Sequence, residues 1–227
     1  MSPTGLVRRV LPARVPPVDG GRVPLLVVFH GVGSNERDMA MLAPSFDPRF
    51  VVVSVRSPIT LGPDSYGWFH VQFTSGGPVI DAEEARVAWT TIAVLVDELV
   101  EEQGADPAQV YLAGFSQGGI VSVATVLTAP EKVAGVVCMS GRLLPEVLPF
   151  AVAPTRLVGK PMLWVHGTHD AVLPVALART AVPELERRGV SVEYHEFTMG
   201  HEVSRASLDR VVRWLGDRLD AAGLGAP

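Results

Sequence analysis

Ser116, Asp170 and His201 are the residue types that acyl transfer to water requires: a hydroxyl nucleophile, a carboxylate that orients a base, and the base itself. Ser116 lies in Gly114-Phe115-Ser116-Gln117-Gly118, a Gly-x-Ser-x-Gly pentapeptide after the apolar run Val110-Tyr111-Leu112-Ala113 and before a stretch that can be helical. A serine hydroxyl is a weak nucleophile and must be exposed where a base can reach it. A tight strand-to-helix turn does this, and glycines flank it because side chains would clash there. Alone, the pentapeptide equally fits a glycine-rich loop ending a buried strand, so the rest of the chain must decide.

In a parallel sheet covered by helices, functional residues gather beyond the carboxyl ends of the strands. The strand expected at 25–29 leaves through His30-Gly31-Val32-Gly33-Ser34-Asn35, whose glycines let backbone amides turn toward a developing oxyanion. The strand at 162–165 leaves through His166-Gly167-Thr168-His169-Asp170, and the final one through Thr198-Met199-Gly200-His201. Serine, acid and histidine therefore follow in that order, each at a strand exit. His30 reads as a satisfied structural imidazole. His166, His169 and Asp170 could be taken for metal ligands, but no further carboxylate and histidine completes a set, and neither a metal nor a cofactor is expected. His70 either borders the pocket or is exposed.

The positioning elements are short β-rich runs alternating with longer helical patterns: an α/β fold with a mostly parallel central sheet and helices on both faces. Strands are expected at 25–29, 50–55, 110–113, 133–139, 162–165 and 190–197. The last alternates in polarity like an edge strand, which puts His195 at the surface. Asp81 and Glu84 open a helix that carries Ala88, Ile92, Leu95, Val96 and Leu99 on one face and stops at Gly104. Leu208, Val211, Val212, Leu215 and Leu219 mark a C-terminal helix. Another lies between Pro174 and Gly189, where Pro183 should break or kink it. The proline-rich stretch from Leu143 to Pro161 reads as a loop or short helix, and whether it acts as a lid is open.

The chain has 227 residues, which suits one domain spanning 1–227, with 1–21 an irregular or short-strand segment. Its net charge is -5, from 24 acidic and 19 basic residues, without a basic stripe, so nucleic acid is not an expected partner. Neither a signal peptide nor a membrane-inserting run is evident. The single cysteine, Cys138, falls in an apolar strand and reads as a core residue, and the absence of any internal disulfide suits a reducing cytoplasm.

The longer string Gly114-Phe115-Ser116-Gln117-Gly118-Gly119, with the preceding Asp106-Pro107-Ala108-Gln109, closely resembles the nucleophile region of the small carboxylesterase, acyl-protein thioesterase and lysophospholipase-like family. The resemblance extends to Phe29-His30-Gly31-Val32-Gly33, Gly67-Trp68-Phe69, His166-Gly167 with Asp170 and Pro174, and Gly200-His201. It implies an α/β-hydrolase fold without a cap domain that cleaves esters or thioesters without a cofactor, often as a homodimer. On it, Ser116 is the nucleophile, His201 the base and Asp170 its orienter. The backbone amides of Val32 and Gln117 form the oxyanion hole, and Trp68 and Phe69 line the acyl groove. Val172 and Leu173 are further apolar wall candidates, although all four wall residues also read as core. Ser34 and His70 depart from the family pattern, where acidic residues are common. Small esters of short to medium acyl chains are the first expectation. Thioesterase or lysophospholipase activity is the alternative, and a silent ligand-binding fold the remote one.

Overall fold

Apolar runs that do not alternate can be buried only if both faces of their sheet are covered. In the computed structural model, which describes residues 3–17, 20–74 and 77–224, they form a seven-stranded sheet. Its spatial order is β1 (Arg8–Leu11), β3 (Val51–Val55), β2 (Val23–Phe29), β8 (Ala105–Phe115), β9 (Gly135–Met139), β10 (Pro161–Gly167) and β11 (Ser191–Phe197). Only β1 runs antiparallel, against β3; every other neighbour is parallel.

The pleat sorts β2 into two cores. Leu25, Val27 and Phe29 pack with α2 (Ala82–Gln103), α3 (Gln117–Thr128) and α4 (Ala176–Arg187) on one face. Leu26 and Val28 pack with Met39 of α1 (Glu36–Ala40) and with Val211, Trp214, Leu215 and Leu219 of α5 (Arg205–Ala221) on the other. No helix among the described residues is long and apolar enough to cross a membrane.

The helix boundaries have local causes. Asp81 caps α2 by accepting the amides of Glu83 and Glu84, and Gly104 ends the helix at φ 59°, a left-handed conformation that glycine adopts without penalty. Glu84 does not reach back to complete a capping box; its carboxylate accepts the His70 amide at 2.7 Å. The expected break at Pro183 does not occur: α4 runs through it. Pro183 sits on the exposed face, where water can serve the carbonyl that loses its intrahelical donor.

Three further features complete the fold. Part of the N-terminal segment is the strand β1; Met1, Ser2, Val18 and Asp19 lie outside the described residues. Two hairpins, β4 (Ile59–Gly62) with β5 (Ser65–Gly67) and β6 (Val71–Thr74) with β7 (Gly77–Ile80), fill the connection from β3 to α2. The stretch from Leu143 to Pro161 holds short 3-10 turns at Pro145–Phe150 and Pro154–Arg156, pinned to the core by Leu144, Val147 and Leu157. β11 occupies the sheet edge, and His195 is partly exposed there, beside Glu193.

Candidate active site

The turn between β8 and α3 holds Ser116 at φ 52°, ψ −117°, a backbone region that non-glycine residues rarely occupy. Its amide is tied to the Met139 carbonyl of neighbouring β9 at 2.8 Å. The flanking glycines are sterically required. A Cβ on Gly114 would fall 2.1 Å from the Gly118 carbonyl, and one on Gly118 would fall 2.1 Å from that of Phe29. Ser116 is thus held where α3 begins, at the positive end of that helix's dipole.

Two other strand exits bring their residues to it. His201 Nε2 lies 2.9 Å from Ser116 Oγ, and His201 Nδ1 lies 2.7 Å from Asp170 Oδ2. An ionised carboxylate only accepts, so the imidazole proton sits on Nδ1 and Nε2 is left to accept the serine hydroxyl. The other Asp170 oxygen, Oδ1, accepts the amides of Val172 and Leu173 at 2.9 and 2.8 Å. The carboxylate is therefore oriented from both sides. The Phe115 ring packs against the imidazole, with centroids 4.9 Å apart.

The remaining histidines are accounted for by their partners. Both ring nitrogens of His30 are engaged: Nδ1 donates to the Gly31 carbonyl at 2.8 Å, and Nε2 accepts the Ser57 amide at 3.0 Å. Burial holds this imidazole below the ordinary histidine range. His166 accepts the Trp164 indole N–H on Nδ1 and donates through Nε2 to the Leu173 carbonyl at 2.8 Å; burial likewise lowers it. With both nitrogens committed, His166 has no lone pair for a metal, and its neighbour His169 is exposed. Among the described residues no three histidine, cysteine or acidic side chains converge as a metal site. His70 is exposed and pairs with Glu84. Cys138 is buried, which pushes its thiol up and away from reactivity.

Ser116 and His201 open into a cavity of about 570 Å³. Phe69, Val172 and Leu173 line it, as do Val32 and Gln117, whose backbone N–H groups donate to no partner among the described residues. Trp68 is a correction. It turns away from the cavity into the core, edge-on to Phe29 at 5.3 Å, and its indole N–H donates to the His30 carbonyl. The next residue, Phe69, lines the cavity instead. The walls also include Met39 and Leu42 around α1 and Val71, Pro78 and Ile80 of the β6–β7 hairpin, none of which carries a sequence signal. Arg142, just past the end of β9, is another lining residue, and its place beyond the carboxyl end of a strand is the signal that marks it in the sequence.

The Gln117 side chain has a role that its place in the motif does not disclose. Its Oε1 accepts the Trp68 amide at 2.7 Å and its Nε2 donates to the Phe69 carbonyl at 2.7 Å, tying the cavity wall to the nucleophile turn.

The sequence profile of the phospholipase/carboxylesterase family matches residues 14–217. A rice (Oryza sativa subsp. japonica) protein named a probable inactive carboxylesterase is 29% identical over 212 residues, covering 87% of this chain and 86% of its own. Acyl-protein thioesterase 1 of Kluyveromyces lactis is 26% identical over 211 residues, with 86% and 92% covered. Among solved structures, esterase PE8 superposes with a TM-score of 0.76 at 29% identity, covering 94% of this chain and 99% of that one.

Proposed function

The chain belongs to the phospholipase/carboxylesterase family of α/β hydrolases, a family of ester-cleaving enzymes, and from that premise we propose that it cleaves esters of short to medium acyl chains through an acyl-enzyme on Ser116. The observation that carries this reading is the pair of hydrogen bonds at His201: Nε2 accepts the Ser116 hydroxyl at 2.9 Å, and Nδ1 donates to Asp170 Oδ2 at 2.7 Å. Family membership is not enough, because one relative bears the name of a probable inactive carboxylesterase. What separates an active member from a silent one is an assembled nucleophile, base and orienting carboxylate.

In the proposed reaction His201 Nε2 takes the Ser116 proton as Oγ attacks the ester carbonyl carbon, and the negative charge moves to the carbonyl oxygen. The amides of Val32 and Gln117 receive that charge, the second with the dipole of α3 behind it. Collapse of the adduct breaks the bond to the leaving alcohol, which takes the proton from Nε2. Water, deprotonated by the same nitrogen, then attacks the acyl carbon, and collapse breaks the bond to Oγ, which takes the proton back from Nε2 as the acid leaves. Asp170 stays ionised throughout and fixes the tautomer.

The cavity volume lies within the range of small-molecule sites, roughly 300–1,000 Å³, and its mostly apolar walls suit an acyl chain. Thioesters are the second reading, favoured by the likeness to a thioesterase across most of both chains. A single buried cysteine suits a cytoplasmic setting.

The test is a chain-length series of 4-nitrophenyl esters and matched acyl thioesters, run with the parent and with Ser116→Ala, His201→Ala and the double variant. Turnover should fall at least ~10⁴-fold in each single variant, with little further loss in the double one, because the residues act as a unit. A double variant much slower than both singles would break the proposed unit.

A further inference from the structure

Twelve of the molecule's arginines illustrate the usual fate of a guanidinium: those at 8, 37, 49, 56, 86, 156, 179, 187, 188, 205 and 210 meet carboxylates, and Arg218 lies over the Trp214 ring. Arg14 and Arg22 donate to backbone carbonyls, while Arg9 and Arg213 are exposed to water. Arg142 fits none of these groups. Among the described residues it is the arginine that is partly buried yet makes no hydrogen bond, ion pair or ring contact, and it lines the cavity that holds Ser116 and His201.

A guanidinium carries five N–H donors; those of Arg142 meet no protein acceptor among the described residues, and none of them is sealed from water. Burial lowers the affinity of Arg142 for its proton, and Glu146, the one carboxylate pulling the other way, forms no ion pair with it. The placement is fixed by the backbone. Gly141 packs so tightly that a Cβ there would fall 2.5 Å from Cys138 Sγ and 3.3 Å from the Ile120 amide, so the next residue is delivered beside the first turn of α3. The other charged side chain among the lining residues apart from imidazoles, Asp38, is exposed and already accepts the Ser34 hydroxyl at 2.5 Å.

Resting on the hydrolase reading above, we propose that Arg142 receives an anionic group of the substrate, and that the preferred esters carry a carboxylate or phosphate on the acyl or the alcohol side. The planar fork matches such groups with two parallel hydrogen bonds, and the surrounding apolar wall strengthens them. The neutral remainder of the substrate occupies the apolar part of the cavity. Arg142 acts as a specificity residue, and it has no part in bond making.

Two matched substrate pairs test this: 4-nitrophenyl butyrate against mono-4-nitrophenyl glutarate for a charge on the acyl side, and phenyl acetate against 4-acetoxybenzoate for one on the alcohol side. In at least one pair the parent should favour the anionic member. Arg142→Gln should lower the anionic-to-neutral ratio of kcat/KM in that pair by at least ~10-fold, the factor carried by one charge-assisted hydrogen bond, chiefly through KM. Arg142→Lys should recover part of the ratio, since it restores charge without the fork. A ratio unaltered by Arg142→Gln in both pairs, including one in which both members slow together, overturns the assignment and leaves the hydrolase reading standing. A parent inert toward all four compounds overturns this inference, and one that also takes up no fluorophosphonate probe overturns the hydrolase reading with it.

Discussion

Gln117 Oε1 accepts the Trp68 amide at 2.7 Å, so the residue after Ser116 holds a loop on the cavity wall. Its Nε2 closes the clamp on the Phe69 carbonyl, and both contacts are buried. Gln117→Ala keeps the backbone donor but strands two buried backbone groups, each of which costs about 1–3 kcal/mol when unsatisfied. The variant should lose roughly 2–4 kcal/mol of stability in urea titration and retain far more turnover than Ser116→Ala. Stability unchanged within about 0.5 kcal/mol would mean that the clamp is not formed in solution.

Asp170→Asn should be far more damaging than its small change in shape suggests. Oδ1 accepts the Val172 and Leu173 amides, so an asparagine must present its carbonyl to them and its NH₂ to His201. That forces the imidazole proton onto Nε2, where it can no longer accept from Ser116. We expect a loss in kcat of about 10³–10⁴-fold with the fold retained by circular dichroism. A variant within about 10-fold of the parent would show that the tautomer is not set by this carboxylate.

Stability should depend on pH through two histidines outside the chemistry. Burial holds His30 and His166 below the ordinary histidine value, and protonation would aim a second N–H at the Ser57 amide or at the Trp164 indole N–H. The unfolded chain therefore takes up these protons first as pH falls. The stability that they contribute is complete above ~6.5 and is lost on acidification from there toward the lowered native values. This window lies above the region in which paired carboxylates such as Glu36 and Glu196 act, since their arginine partners hold them below the usual carboxylate range. Urea midpoints should fall between pH 7 and 5, and the slope should be shallower in His30→Gln and in His166→Gln. Parallel slopes in the parent and both variants would contradict the assignment.

Ser116, Asp170 and His201 are legible in the sequence because short motifs sit at the ends of apolar runs, and the sheet then brings those ends to one edge. The inner strands β2, β3, β8, β9 and β10 are legible because a run buried on both faces has little latitude in composition, and β11 is legible because it alternates as an edge strand does. What is not legible depends on contacts between segments distant in sequence. The Gln117 clamp joins α3 to a loop 49 residues earlier at Trp68, and nothing in either segment announces the other. Trp68 and Phe69 are equivalent as letters, and only the direction of the backbone sends one to the core and the other to the cavity. The β4–β7 hairpins are three or four residues per strand, too short for a period to be read. Pro183 shows the opposite case, in which a strong local signal is outweighed because its lost hydrogen bond faces water.

The most direct test of the account is the reaction of the folded protein with a fluorophosphonate probe, read by intact-mass spectrometry and peptide mapping. The reagent needs a serine activated by a base beside an oxyanion site, and it needs no knowledge of the substrate. We predict one adduct per chain, on Ser116, absent from Ser116→Ala and strongly slowed in His201→Ala. Folded parent protein that takes up no probe, or label that persists in Ser116→Ala, would contradict the assembled nucleophile and with it the reading of this chain as a serine hydrolase.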